Sequence, residues 1–175
     1  MTKKAAYRQG YVAADFLTQG HRISGEVRTA INPLADLLND SLTSFIEAEN
    51  VYISSIQSPT DIIESYPLGH LRKDNIIMAV LRRAEDGLPR RQTFGSPAEG
   101  ATREVFLTLP GFDLRGRLSV KAAENLERLL VLSAERFIPI ADAVATVPSS
   151  PDIQFRGGII LANRRYIGIL CGGAK

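Results

Sequence analysis

The chain has 175 residues, of which 45% are hydrophobic and 23% are charged, and its formal net charge is +2. This is the size of one ordinary domain, and the composition excludes disordered and fibrous proteins. No apolar run approaches the roughly 20 residues of a membrane-spanning helix, and the first residues lack the apolar stretch of a secretory signal. Cys171, the single cysteine, cannot form an internal disulfide, and two histidines do not complete a cysteine-based metal cluster. We therefore expect a cytoplasmic protein with no cofactor and no membrane insertion.

Two short strands around a turn are predicted near the start of the chain. Ile23–Val27 alternates apolar with small or polar residues, which is the period of a half-buried strand. Gln19–His21 precedes it and contains a glycine suited to a tight turn. A short helix is predicted next, because Asn32 and Pro33 form a favourable helix start and the three leucines within residues 34–38 fall on one face.

The first half then continues with β-branched and aromatic residues. Phe45–Ile56 and Ile76–Leu81 are predicted strands, and a further strand between them is left open. Residues 84–102 contain three glycines, two prolines and little apolar content, which is typical of a linker.

The second half presents the same order of predicted elements. A turn at Leu109–Phe112 is followed by a helix over Ala122–Leu132 and a strand over Phe137–Val147. Ile159–Leu161 and Tyr166–Leu170 flank four residues that suit a turn, so these two runs are predicted to form a hairpin.

Five sequence similarities in the same order indicate an internal repeat, at offsets of 89 to 92 residues. They pair Phe16-Leu17-Thr18 with Phe106-Leu107-Thr108, Ile23-x-Gly25-x-Val27 with Leu114-x-Gly116-x-Leu118, Leu34, Leu37 and Leu38 with Leu126, Leu129 and Leu130, Phe45-Ile46 with Phe137-Ile138, and Met78–Leu81 with Ile167–Leu170. We predict two tandem copies, residues 11–83 and 103–171, joined by a flexible linker at residues 84–102.

The predicted fold is α+β and β-dominated, with each copy a small strand–strand–helix–strand–strand unit. About 70 residues are marginal for an independent core. We therefore expect the copies to pack together with pseudo-twofold symmetry, as two small bent sheets or half-barrels.

These motifs resemble an uncharacterised prokaryotic β-rich domain family, present here as two tandem copies. A Leu-x-Asp-x-Leu-Asn helix of that family is matched at Ala35–Asn39, and a Phe-Ile-x-Leu-x-Asp-Ala strand is matched at Phe137–Ala143. Copy one departs from the strand motif at Ala48 and Asn50, and copy two lacks the Asp and Asn of the helix. The family has no assigned activity, so the resemblance implies a fold and no catalytic residue.

Two pairs of matched positions suggest where a binding site would lie. Gly25 and Gly116 occupy the same place in their strands, which indicates a bulge or a close approach. Asn50 and Asp142 also match, and a short polar residue there suggests a hydrogen bond to backbone at a bend. If a site exists, we expect it in a groove between the copies near these four residues.

Arginine doublets support an alternative function, a nucleic-acid-associated protein. Residues 1–81 carry seven Lys or Arg against nine Asp or Glu, whereas residues 103–175 carry ten against seven. Arg82 and Arg83, with Arg164 and Arg165, are the candidate phosphate contacts. The basic excess is modest and no aromatic residues are interleaved with it, so contact between the acidic and basic halves competes with this interpretation.

A small-molecule enzyme is the second alternative. Glu47 and Glu49 share a strand face and, with His21 or His70, could form a general acid–base site between the copies. Their counterparts in copy two are Pro139 and Ala141, so a solvated strand face explains the pair more simply. The favoured hypothesis is a non-catalytic interaction or regulatory module that acts through a homo-oligomeric or partner-binding surface.

Overall fold

The structure is a computed structural model that describes residues 8–88, 101–120 and 126–173. The strands are β1 (Tyr11–Leu17), β2 (His21–Arg28), β3 (Phe45–Ser55), β4 (Ile62–Arg72), β5 (Met78–Leu81), β6 (Ala101–Leu109), β7 (Phe112–Val120), β8 (Phe137–Val147), β9 (Ser150–Asn163) and β10 (Ile169–Gly172). The α-helices are α1 (Leu34–Asn39), α2 (Ala84–Gly87) and α3 (Leu126–Leu132), and the 3-10 helices are η1 (Lys73–Asn75) and η2 (Arg164–Tyr166).

The ten strands of the described residues form one open antiparallel sheet in the order β10-β6-β7-β8-β9-β5-β1-β2-β3-β4. The β-dominated fold class agrees with the prediction from sequence. The expected pair of separate bent sheets is wrong, because β9 of the second half pairs with β5 of the first half through four residue pairs and so joins the halves in one sheet.

The strand order and the residue pairings of the first half recur in the second. In each half, the fifth strand in chain order lies beside the first, which is followed by the second, third and fourth. This order is β5-β1-β2-β3-β4 in the first half and β10-β6-β7-β8-β9 in the second. Ala14 pairs with Gly25 in the β1–β2 hairpin, and Val105 pairs with Gly116 in the β6–β7 hairpin. Both residues of the second pair are therefore 91 positions later in the chain than those of the first, and this constant of 91 relates the two hairpins. Phe16 therefore corresponds to Leu107, one residue away from the Phe106 of the predicted alignment. In a strand, one residue exchanges the two faces.

Side chains of β5 and β9 are buried on both faces of the sheet and separate two hydrophobic cores. Met78 and Ile160 belong to a core that is formed mostly by the second half. Ala79 and Leu161 point the other way, into a core that is formed mostly by the first half. Each half therefore covers the opposite face of the sheet, and the two halves share their central strands.

The contact between the halves is head-to-tail, because it joins β5, the fifth strand of the first half, to β9, the fourth strand of the second half. A simple twofold contact would bring equivalent strands together. The arrangement of the described strands therefore does not confirm the expected pseudo-twofold packing.

Other local predictions also differ from the structure. The predicted hairpin between Ile159–Leu161 and Tyr166–Leu170 is wrong, because β10 pairs with β6 and β9 pairs with β5 and β8. Within the expected linker, Ala84–Gly87 forms α2 and β6 begins at Ala101, while residues 89–100 lie outside the described residues. Residues 122–125 of the predicted second helix also lie outside them.

Candidate interaction surface

The matched polar positions Asn50 and Asp142 each form a bulge in their strand. Both have positive φ values, 50° and 46°, and the pairing of the neighbouring strand shifts opposite each of them. Asn50 Nδ2 donates to Glu26 Oε2 at 2.9 Å, and Asp142 accepts from Arg117. Their polar side chains thus bond across to the neighbouring strand, where the sequence had suggested a bond to backbone.

Glycines lie opposite both bulges because the strands approach closely there. A Cβ atom at Gly25 would lie 3.1 Å from Ala48 Cβ. At Gly116 the contacts are tighter, with Ile140 Cγ2 at 2.6 Å and Ala141 O at 2.8 Å. Both glycines therefore have a structural reason in the packing of their own half.

The two bulges are in different parts of the sheet. Strands β2 and β7, which carry Gly25 and Gly116, are separated by β8, β9, β5 and β1 in the strand order. The structure brings Gly25 together with Asn50, and Gly116 together with Asp142, but the sheet order does not bring the two pairs into one groove.

The arginine doublets lie at opposite ends of the β5–β9 junction. Arg82 O accepts from Gly158 N at one end, while Asn163, which precedes Arg164, donates its N–H to Ile77 O at the other. Five residues of strand separate the two ends, which corresponds to about 17 Å. Arg83 pairs with Glu85 at 2.6 Å. The four arginines therefore form no single basic patch.

Arg164 and Arg165 take part in contacts within the chain. Arg164 Nη1 donates to Leu130 O at 2.7 Å, and Arg165 Nη1 lies 3.2 Å from Asp74 Oδ1. Asp74 also accepts from Arg136, and that bond, followed by the charge of the same guanidinium, lowers the pKa of the Asp74 carboxyl. This ion cluster joins η1 of the first half to the second half, which is a structural role for Arg165.

Asn39 is a second contact between the halves that sequence reasoning missed. Its Oδ1 accepts from Arg136 N at 2.9 Å and Phe137 N at 2.7 Å, and its Nδ2 donates to Phe137 O at 3.3 Å. These partners are 97 and 98 residues away in the chain. The family motif at Ala35–Asn39 was the one signal that singled out this asparagine.

The carboxylates of the proposed acid–base site have separate partners. Glu47 Oε2 lies 3.3 Å from His70 Nε2, and both side chains are exposed. Glu49 instead accepts from Arg8 at 2.6 Å and Tyr11 at 2.9 Å, and these bonds lower the pKa of its carboxyl. His21 is the first residue of β2, directly after the β1–β2 turn, and its carbonyl accepts from Thr18 N. Glu47 and His70 therefore meet on an exposed strand pair, while Glu49 is engaged by Arg8 and Tyr11.

A pocket of about 290 Å³ lies between turns of the two halves. Its lining includes Gln19, Gly20, Gly111, Phe112 and Pro148, and none of its lining side chains is a carboxylate, histidine or cysteine. The lining contains no lysine or tyrosine either, and these five kinds of side chain are the usual ones for proton transfer. Within residues 8–88, 101–120 and 126–173, no three His, Cys, Asp or Glu residues are placed to hold a metal ion, and no helix is long and apolar enough to cross a membrane.

The two edge strands of the sheet, β4 and β10, form the remaining candidate interaction surface. Strand β4 pairs with β3 on one side, and β10 pairs with β6 on one side. Among the residues that the structure describes, no strand pairs with the other side of either, and we call these two sides the open edges. Strand β4 is 11 residues long, and Ile62, Ile63, Tyr66 and Leu68 on it are exposed. Long edge strands with exposed apolar side chains are the sites where sheets add further strands.

A comparison of the chain with protein-family models, with curated proteins and with solved structures found no match. The resemblance described from the sequence therefore stays a prediction.

Proposed function

We propose that this chain is a non-catalytic protein-interaction module, which acts in the cytoplasm by adding strands to the open edges of its sheet. The observation that supports this proposal best is β4, an edge strand of 11 residues that carries exposed isoleucine, tyrosine and leucine side chains. Natural proteins usually shorten, charge or cover such an edge, or place proline on it, unless it has a partner. On β4 the proline is Pro67, and residues 68–72 that follow it all keep a backbone N–H.

The proposal includes a duplication of an ancestral unit of about 70 residues. The repeated strand order and the constant of 91 that relates the two hairpins support it. So do the two bulges at Asn50 and Asp142, because positive φ is uncommon outside glycine. A unit that already joins one copy of itself by strand addition has an edge suited to joining another.

The two alternative functions, nucleic-acid binding and acid–base catalysis, have less support. Nucleic-acid binding would use the arginine doublets together, but they lie at opposite ends of the β5–β9 junction and Arg164 and Arg165 have partners within the chain. An acid–base enzyme would bring Glu47 and Glu49 to one point, but Glu49 is engaged by Arg8 and Tyr11.

The test is the mass of the protein in solution, measured by size-exclusion chromatography with light scattering over a wide range of concentration. The wild-type chain is expected to exceed its monomer mass of 19.1 kDa as the concentration rises. Leu68→Lys is expected to weaken that association by roughly 10- to 100-fold, because burying a leucine contributes about 1.5–3 kcal/mol.

Leu42→Lys is the matched control, because Leu42 is 93% exposed and lies outside the strands. It should associate like the wild type. A wild-type chain that stays a monomer at every concentration would contradict the proposed function.

A further inference from the structure

We propose that the partner of β4 is β10 of a second copy of this chain, paired in the register that already joins β9 to β5 within the chain. This inference rests on the proposed function and names the occupant of the open edge. It predicts a head-to-tail contact in which one copy gives its last strand to the fourth strand of the next.

The internal junction provides the template for this contact. Met78 pairs with Ala162, Ala79 with Leu161, Val80 with Ile160 and Leu81 with Ile159, in an antiparallel ladder. The two strands of this ladder are the fifth strand of the first half and the fourth strand of the second half in chain order. The same two kinds of strand form the open edges, since β10 is the fifth strand of the second half and β4 is the fourth strand of the first.

Residue pairings give the correspondence between edge and junction. Val80 pairs with Asp15 and Cys171 pairs with Phe106, so the constant of 91 that relates β1 to β6 also relates β5 to β10. The same constant relates β4 to β9 by way of the bulged strands β3 and β8. The expected pairs between two copies are therefore Ile169 with Leu71, Leu170 with His70, Cys171 with Gly69 and Gly172 with Leu68.

The backbone of β4 points the right way for this ladder. Lys73 N donates to Ser44 O at 3.0 Å, toward the β3 side. Because hydrogen-bonding groups alternate along a strand, the amides of Leu68, His70 and Arg72 point toward the open edge. At the internal junction the residue that corresponds to Arg72 is Asn163, and its N–H donates to Ile77 O at 2.9 Å. The two observations give the same alternation.

Side chains that are buried at the internal β5–β9 junction have exposed counterparts on the open edges, as expected for an edge that lacks its partner strand. Ile159 in the internal ladder is 0% exposed, whereas Leu68, its counterpart at the edge, is 47% exposed. Met78 is 0% exposed and its counterpart Ile169 is 50% exposed. A second copy on this edge would bury both side chains.

The contact between α1 and β8 beside the ladder also has exposed counterparts, at α3 and β3. Phe137 is fully buried, and its backbone is bound by the Asn39 side chain at the end of α1. Phe45 corresponds to Phe137 and is 49% exposed, while Val131 of α3 corresponds to Asn39 and is 68% exposed. In the proposed contact, Phe45 of one copy lies near Val131 of the next, and an apolar pair takes the place of the asparagine bonds.

The ladder has a natural end. Gly158 N donates to Arg82 O at the internal junction, one position beyond the last strand pair. Pro67 corresponds to Gly158 and has no N–H to donate. Pairing at the edge is therefore expected to stop at Leu68 and Gly172, where β10 itself ends.

Because this contact is head-to-tail, every copy keeps one β4 edge and one β10 edge for neighbours. Such contacts either close into a ring or continue as an open chain. In both cases each interface has the same residue pairs, so the register can be tested whatever the number of copies.

The experiment places a cysteine opposite the natural one. In the expected ladder, Gly69 and Cys171 form a non-hydrogen-bonded pair, because the hydrogen-bonded positions are 68, 70 and 72. Such pairs have Cα atoms about 4.5 Å apart, within the range of about 4.4–6.8 Å that disulfides allow. Under mild oxidation, Gly69→Cys is expected to form disulfides between chains, seen as dimers or a ladder on a non-reducing gel and absent in Gly69→Cys with Cys171→Ser.

Ser65→Cys is the matched control, because Ser65 lies on the same strand and face but about 13 Å along β4. Its crosslinking is expected to be at least tenfold slower. A Cβ at Gly69 would lie 3.1 Å from Val51 Cγ2, so a second variant, His70→Cys with Leu170→Cys and Cys171→Ser, tests the register at the adjacent pair on the other face.

Equal crosslinking of Gly69→Cys and Ser65→Cys would overturn the inference, and so would a disulfide within one chain or none in either engineered pair. If the wild-type chain associates in solution and Leu68→Lys weakens it, but the engineered pairs fail, the proposed function stands and the proposed register is wrong. If the wild-type chain is a monomer throughout, the proposed function itself fails.

Discussion

Asn39 illustrates how one side chain ties the two halves together. It accepts from two backbone N–H groups, Arg136 N at 2.9 Å and Phe137 N at 2.7 Å, and donates to Phe137 O. Asn39→Ala is expected to lower the free energy of unfolding by about 2 kcal/mol, since it leaves backbone donors near the core without partners. Urea unfolding measures this loss, and Asn75→Ala, at an exposed position of η1, should change stability by less than about 0.5 kcal/mol. Equal effects of the two substitutions would contradict this role.

Asp74 makes the stability of the fold depend on acid. Its pKa in the folded chain is lowered by the hydrogen bond and charge of Arg136, so the folded chain binds fewer protons than the unfolded chain near pH 4. The resulting stability is present above the unfolded pKa and is lost as the pH falls through the folded pKa.

Asp74→Asn is therefore expected to lower stability at pH 7 and to flatten its decline below about pH 4. Urea midpoints measured from pH 7 down to pH 3 test this expectation. Asp152→Asn, at an exposed position of β9, serves as the control. A variant that keeps the wild-type dependence on pH would refute the role of Asp74.

Sequence reasoning reached some of these residues and missed others for a physical reason. Asn50 and Asp142 could be found because their matched positions share a local backbone need, a positive φ at a bulge. Asp74 could not, because its partner Arg136 is 62 residues away and ordinary surface charges look the same in a sequence.

At the scale of single elements, the strand pair opposite each bulge depends on a glycine. Gly116→Ala would bring a Cβ to 2.8 Å from Ala141 O and 2.6 Å from Ile140 Cγ2, and a backbone oxygen in a ladder cannot move aside easily. The closest contact at Gly25 would be 3.1 Å, to Ala48 Cβ.

Both substitutions are expected to destabilise the fold, Gly116→Ala by about 1–3 kcal/mol and Gly25→Ala by less. Thermal and urea unfolding give the order. Gly20→Ala is a control, because nothing lies within 4 Å of a Cβ at that position. The reverse order for Gly25 and Gly116 would show that the contacts at the bulges do not set the cost.

The sequence does not decide whether β4 is a strand, because Ile62–Arg72 contains Pro67, Gly69 and two charged residues and does not alternate. An edge strand that is exposed on both faces lacks the pattern that burial imposes. The false hairpin at residues 159–170 has the opposite cause. The pair Gly157-Gly158 makes the single strand β9, of 14 residues, look like two shorter segments in the sequence. The 3-10 helix η2 follows β9 and leads to β10 at the edge of the sheet, away from β9.

At the scale of the whole molecule, the repeated sequence pattern predicted the order of most elements but not how the halves meet. Periodicity reports which face of a strand is buried and carries no information about which strand lies beside it. The sheet is continuous because β5 and β9 are apolar on both faces and contribute to both cores. Short apolar runs such as Met78–Leu81 fit that position, but a single sheet and two packed sheets both provide it.

Hydrogen exchange of the β4 backbone, measured at low and high protein concentration, tests strand addition most directly. The amides of Leu68, His70 and Arg72 point toward the open edge, whereas Lys73 N is bonded to Ser44 O. We expect the first three to exchange rapidly in dilute solution and to become protected as the concentration rises, while Lys73 stays protected throughout. Rapid exchange of Leu68, His70 and Arg72 at every concentration would contradict the proposal that this edge is joined by another strand.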